Sequence, residues 1–175
     1  IFRTTDAADK AHLSDTPWTD GRLFAPDVVE KNGKYYLYAY IQEAKGCVAV
    51  SDKPEGPFEL LGTYVCDEEE APDGGIFIDP GVLVDDDGRV YLYGGFLKSY
   101  VCELEDDMRT VKKGSVIRDI IPDTEPFNFF EACSPRKING KYYLIYSNQV
   151  CSQLAYAVSD SPTGPFEYKG VIIDS

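Results

Sequence analysis

Asp79 and Glu131 are the residues of this sequence best placed for acid–base chemistry. Asp79 sits in Phe77-Ile78-Asp79-Pro80-Gly81, and Glu131 in Phe129-Phe130-Glu131-Ala132-Cys133. Each carboxyl group therefore has apolar neighbours. Apolar surroundings disfavour the charged form of an acid, and a second carboxylate nearby does the same. A Glu so placed is expected to hold its proton near neutral pH and to act as a proton donor. Ordinary structural readings compete. Asp before Pro starts many turns, and a Glu in an aromatic run needs only a partner. The spacing favours chemistry. Asp79 and Glu131 each lie nine residues before a turn glycine, Gly88 and Gly140, and Phe24 holds the same place before Gly33.

The elements that carry these residues repeat. NGKYYLYAY at 32–40 returns as NGKYYLIYS at 139–147, 107 residues on. AVSDKPEGPFELLG at 49–62 returns as AVSDSPTGPFEYKG at 157–170, 108 residues on. A weaker copy, DGRVYLY at 87–93, lies halfway, and Pro26, Pro80 and Pro135 precede the three hairpins at steps of 54 and 55. In each copy a short apolar run leads into Asn-Gly or Asp-Gly, which favours a tight turn with positive φ at both central residues. A Tyr/Leu-rich strand follows, at Lys34–Tyr40, Arg89–Gly94 and Lys141–Ser147. Third strands are expected at Cys47–Ser51, Tyr100–Leu104 and Leu154–Ser159, and fourth strands at Phe58–Gly62, Val111–Gly114 and Phe166–Gly170. Four antiparallel strands per unit of this length make a β-propeller blade. The expected fold is all-β, with blades over 21–70, 71–120 and 121–175, and with 1–20 as the end of a preceding blade or a linker. First strands of a propeller line its axis, so equivalent positions converge on one pocket. Propellers have about 4–8 blades, so three blades read as part of a longer propeller or as a ring closed by self-association.

Composition excludes several classes. Seventeen basic and thirty acidic residues leave a net charge of −13 over 175 residues, and such a chain repels a phosphate backbone. No apolar stretch approaches the roughly 18 residues that cross a bilayer. The lone His12 argues against a His-based metal site or a Ser–His triad, and reads as a loop residue. Cys47, Cys66, Cys102, Cys133 and Cys151 are odd in number and contain no C-x-x-C pair, which argues against a zinc site or a disulfide scaffold. They read as buried thiols and lean weakly towards a reducing, cytoplasmic compartment, whereas polymer substrates lean towards secretion; localisation stays open. Asp85-Asp86-Asp87 has a calcium-loop look but reads better as a solvated hairpin tip, and Glu68-Glu69-Glu70 as a solvated loop. Trp18 and Phe24 precede the first inner strand, where they could stack on a ligand or pack in the core.

The motifs together resemble family 43 glycoside hydrolases. Phe24-Ala25-Pro26-Asp27-Val28 followed by NGKYYLY is similar to the family's second-blade signature. FIDPGVLVDDDGRVYLYGG at 77–95 is similar to its third blade, FFEACSPRKINGKYYLIYS at 129–147 to its fourth, and SDSPTGPFE to its blade-closing turn. The resemblance implies a five-bladed propeller that hydrolyses arabinose- or xylose-containing oligo- and polysaccharides with inversion. It implies that Glu131 is the general acid and that Asp79 tunes and orients it. No cofactor is required, and a structural Ca or Na ion is compatible with the complete propeller; no metal ligand is assigned here. The chain departs from the family pattern in two ways. Many members carry Glu-Gly-Pro at the acid, where this chain reads Glu131-Ala132-Cys133, with Pro135 two positions late. The first-blade Asp that serves as general base has no counterpart: Asp6, Asp9, Asp15 and Asp20 lack the first-strand context, and none is assigned. Residues 1–175 alone are therefore expected to be inactive.

The expected partner is a carbohydrate, with no nucleic acid and no membrane. Two other readings stay open: a carbohydrate-binding propeller without catalysis, and a structural or protein-interaction propeller. The first predicts sugar binding without hydrolysis, and the second predicts neither.

Overall fold

A computed structural model describes residues 22–41, 46–67, 69–70, 77–150 and 153–174. Twelve strands form three four-stranded antiparallel sheets, and no α-helix occurs among the described residues. The first sheet contains β1 (Leu23–Lys31), β2 (Lys34–Ile41), β3 (Cys47–Ser51) and β4 (Glu59–Thr63) in that order. The middle sheet contains β5 (Gly81–Val84), β6 (Val90–Gly94), β7 (Tyr100–Leu104) and β8 (Ile117–Arg118), again in sequence order. The last contains β9 (Phe129–Ile138), β10 (Lys141–Asn148), β11 (Gln153–Ser159) and β12 (Glu167–Asp174), and the order repeats. These are consecutive blades of a β-propeller.

The middle blade is buried on both faces, and its residues alternate accordingly. Val90, Leu92 and Cys102 enter a core shared with Tyr38, Val48 and Tyr64. Tyr91, Tyr93 and Val101 enter a second core with Leu144, Tyr146 and Ala155. A buried Leu or Val contributes about 1.5–3 kcal/mol, against about 0.5–1.5 kcal/mol net for one hydrogen bond. Packing therefore holds the blades together, and polar links fix their register. The Tyr38 hydroxyl donates to the Met108 carbonyl at 2.6 Å, and the Tyr93 hydroxyl donates to Pro162 at 2.6 Å. Each tyrosine thus reaches from the second strand of one blade to the turn before the fourth strand of the next. At the inner strands, Asp27 Oδ2 accepts the Val82 N–H at 2.8 Å.

Three sequence expectations are corrected. The Asn-Gly hairpins have positive φ at both central residues, at Asn32, Gly33, Asn139 and Gly140. Asp87-Gly88 differs. Val84 pairs with Val90 and the Asp85 N–H bonds the Arg89 carbonyl, so residues 86–88 form a three-residue loop with positive φ at Gly88. Next, the fourth strand of the middle blade is Ile117–Arg118, not Val111–Gly114. Val111 meets Leu104 in an isolated bridge and gives its own N–H to the Val65 carbonyl, and the Ser115 hydroxyl accepts the Glu103 N–H that a continuing strand would meet. Finally, Asp85 is not solvated. It is buried, accepts the Tyr142 hydroxyl at 2.6 Å and pairs with Lys137. Burial works against its charge, but these partners outweigh it and hold the carboxyl below its ordinary range. Asp86 and Asp87 are exposed.

Candidate active site

A bulge opens each blade. In the first, Phe24 pairs with Tyr40 and Asp27 with Tyr38, which leaves one extra residue on β1. In the last, Glu131 pairs with Ser147 and Ser134 with Ile145, with the same surplus on β9. In the middle, the Gly95 N–H bonds the Ile78 carbonyl and Gly81 pairs with Tyr93, which repeats it. The residue after each leading partner has positive φ: Ala25 at 43°, Asp79 at 49° and Ala132 at 62°. Such bulges re-aim side chains and are frequent beside active sites.

By this register Asp79 matches Ala25 and Ala132, while Glu131 matches Phe24 and Ile78. Spacing from the turn glycines sets Asp79 and Glu131 at one position, but the extra residue in the 86–88 loop displaces that count by one. The two acids are neighbours in the bulge rather than equivalents.

They nevertheless converge. Phe24, Ala25, Tyr40, Ile78, Asp79, Phe96 and Glu131 line one pocket of about 480 Å³, a size suited to a small ligand. Burial raises the pKa of Asp79. Burial also raises that of Glu131, and the negative charge of Asp79 raises it further. Two carboxyl groups held above their ordinary range in one pocket can hold and deliver a proton. The adjoining Cys133 thiol is buried and pushed far up, by burial first and by Asp79 second, so it stays protonated. Phe24 is 41% exposed, with its ring stacked on Tyr40 at 6.3 Å. A ring this exposed at the edge of the pocket is open to contact with a ligand. Trp18, His12, Cys151 and the upstream aspartates lie outside the described residues.

Sequence reasoning missed Tyr40, Ile78 and Phe96. Tyr40 had a usable signal: it lies seven residues after its turn glycine, as Ser147 does opposite Glu131. Phe96 had none beyond an aromatic residue after Gly94-Gly95.

A larger concavity of about 920 Å³ lies along the last blade, lined by Phe127, Tyr143, Tyr156 and Tyr168. Its carboxylates, Asp160 and Glu167, are exposed and pair with Lys141 and Lys169. Each is tied to a lysine and open to solvent, whereas two carboxyl groups share the smaller pocket, which is the better site. Among the described residues no three His, Cys, Asp or Glu side chains gather into a metal-binding group.

Residues 4–173 match the family model described as glycosyl hydrolases family 43. A β-xylosidase of Xylanibacter ruminicola is 34% identical, with the match covering 97% of this chain and 63% of the relative. Xylosidase/arabinosidase 43A of Humicola insolens is 38% identical, covering 97% of this chain and 64% of the relative. Among solved structures, an α-L-arabinofuranosidase from Clostridium thermocellum superposes with a TM-score of 0.72 at 36% identity, over 86% of this chain and 52% of the other. A family 43 enzyme from Xanthomonas citri, complexed with xylotriose, gives 0.71 at 31% identity, over 90% and 57%. The chain thus spans between about half and two thirds of the length of these relatives.

Proposed function

From the premise that this chain belongs to glycosyl hydrolase family 43, we propose that the full-length protein cleaves glycosidic bonds in arabinose- or xylose-containing oligo- or polysaccharides, with inversion. The observation that carries this reading is the pairing of Asp79 and Glu131 in one pocket, with both carboxyl groups raised and Glu131 raised in part by Asp79. Glu131 is the general acid. Its proton passes to the glycosidic oxygen as the bond from that oxygen to the anomeric carbon breaks. A water molecule attacks the anomeric carbon from the opposite face and gives its proton to a carboxylate base outside the described residues. Inversion calls for about 6.5–9.5 Å between base and acid, to leave room for that water. Asp79 keeps the proton on Glu131 until the leaving oxygen needs it. Phe24 offers its open ring face to the sugar.

The test is Glu131→Gln in the natural full-length protein. Turnover of substrates with poor leaving groups, such as unsubstituted phenyl xylosides or arabinofuranosides and the oligosaccharides themselves, is expected to fall about 10²–10⁴-fold, the usual contribution of a positioned general acid. Sugar binding should persist. Undiminished turnover would remove Glu131 from the mechanism. Sugar binding by a wild-type protein that hydrolyses nothing would favour a carbohydrate-binding propeller.

A further inference from the structure

One short segment of the middle blade touches both bulges that carry the acids. Residues 95–99 connect β6 to β7. The Gly95 N–H donates to the Ile78 carbonyl at 2.8 Å, immediately before Asp79. Two residues later the Leu97 N–H donates to the Phe130 carbonyl at 2.7 Å, immediately before Glu131. The backbone between them is tightly constrained. Gly95 has φ 124°, and a Cβ there would collide with the Lys98 carbonyl. Leu97, a non-glycine, is held at φ 58°. Left-handed backbone at a branched side chain is strained and persists only where its surroundings impose it.

Between these two hydrogen bonds lies Phe96. Its ring packs edge-on against Phe130, with centroids 5.1 Å apart. It also lines the pocket beside Glu131, and it is 46% exposed. A large aromatic ring left this open adds little to the core. Its contacts connect it instead to the residue that precedes the acid.

We propose that Phe96 is a positioning residue for Glu131: segment 95–99 spans the gap between the two bulges, and the Phe96 ring, seated against Phe130, sets the direction from which the Glu131 carboxyl meets the leaving oxygen. This inference rests on the hydrolase reading given above. Phe96 acts through Phe130 and moves no proton itself. A misdirected acid harms the departure of poor leaving groups and leaves good ones almost untouched, because a good leaving group departs without a proton. That asymmetry separates positioning from a simple contact with sugar.

The experiment measures kcat/KM of the natural full-length protein on a series of substituted phenyl xylosides and arabinofuranosides. The ring stays constant across the series while its acidity varies. For Phe96→Ala, the loss on the unsubstituted phenyl glycoside is expected to be about 10-fold or more, a fraction of the 10²–10⁴-fold that a well-placed acid supplies. The loss on the 2,4-dinitrophenyl glycoside is expected to stay within about 2-fold. Phe96→Tyr, which keeps the ring, should restore the wild-type slope. Phe130→Leu removes the other ring of the pair, should steepen the slope in the same way, and serves if Phe96→Ala does not fold. A uniform loss across the series, or none, in an active protein overturns this inference alone. A wild-type protein that cleaves no member of the series overturns the hydrolase reading and this inference together.

Discussion

The first and last blades open on the same bulge and use it differently. Phe24 and Glu131 occupy one register position, each followed by an alanine with positive φ. The first blade spends that position on an aromatic ring and the last on an acid. The middle blade shifts by one: Ile78 takes the leading position and Asp79 becomes the positive-φ residue itself. One backbone device thus directs three kinds of side chain into one pocket. Scaffold and chemistry are separable here, and a change of side chain at a bulge should alter the reaction more than the fold.

The sharpest way to use that difference is Asp79→Asn in the full-length protein. Asp79 and Glu131 are coupled, and Glu131 is raised first by burial and then by the charge of Asp79. The substitution removes only the second cause. The pKa of Glu131 should fall and still stay above its ordinary range. A general acid works only while protonated, so activity is lost as pH rises through its pKa. The alkaline limb of the pH–rate profile should therefore move to lower pH, with a rate loss of about 10- to 100-fold, smaller than that from removing the acid itself. An unmoved limb would mean that the two carboxyl groups do not sense each other.

A second comparison follows the chain two residues past each bulge residue, to Asp27, Gly81 and Ser134. Asp27 reaches across to cap the next blade at Val82. Gly81 has no room to do so, because a Cβ there would collide with the Cys133 carbonyl and the Pro135 ring of the next blade. The middle and last blades approach more closely at this level. Gly81→Ala should destabilise the protein by about 1–3 kcal/mol through overpacking, measured as a shift in denaturant midpoint. Ser134→Ala, at the matching position, should stay within about 0.5 kcal/mol. Equal effects would mean that the close approach is not what requires glycine.

Local chemistry made much of this legible in the sequence. The Asn-Gly turns, the Tyr-Tyr-Leu strands and the proline steps each encode their own conformation, so the hairpins and third strands could be read directly. Glu131 and Asp79 were legible because acids among aromatic residues are rare. Their one-residue offset was not. It depends on whether Asp-Gly closes a two- or three-residue loop, and that is decided by Asp85, which turns inward to Tyr142 and Lys137 of the next blade. Long-range contacts of this kind leave no local trace. The same holds for β8, displaced by the Ser115 hydrogen bond, and for Phe96, whose role depends on a ring in another blade.

The smallest expected effect tests what the bulge itself costs. Left-handed φ at an L-residue costs roughly 1–2 kcal/mol, and glycine removes that strain while adding entropy to the unfolded chain. Ala25→Gly and Ala132→Gly should each therefore stabilise the protein by about 0.5 kcal/mol, equally at every pH. Asp79→Gly should behave differently. Burial raises the carboxyl of Asp79, so the folded state binds its proton more tightly than the unfolded state does. Its ionisation therefore costs nothing at pH values below its unfolded range, and that penalty grows as pH rises through the window up to its folded pKa. The gain from Asp79→Gly should accordingly be small in acid and larger at neutral pH, read as denaturant midpoints across that window. A pH-independent gain would mean that the site imposes only backbone strain at this bulge. A pH-dependent gain would mean that the fold also gives up stability to keep a carboxyl group out of water.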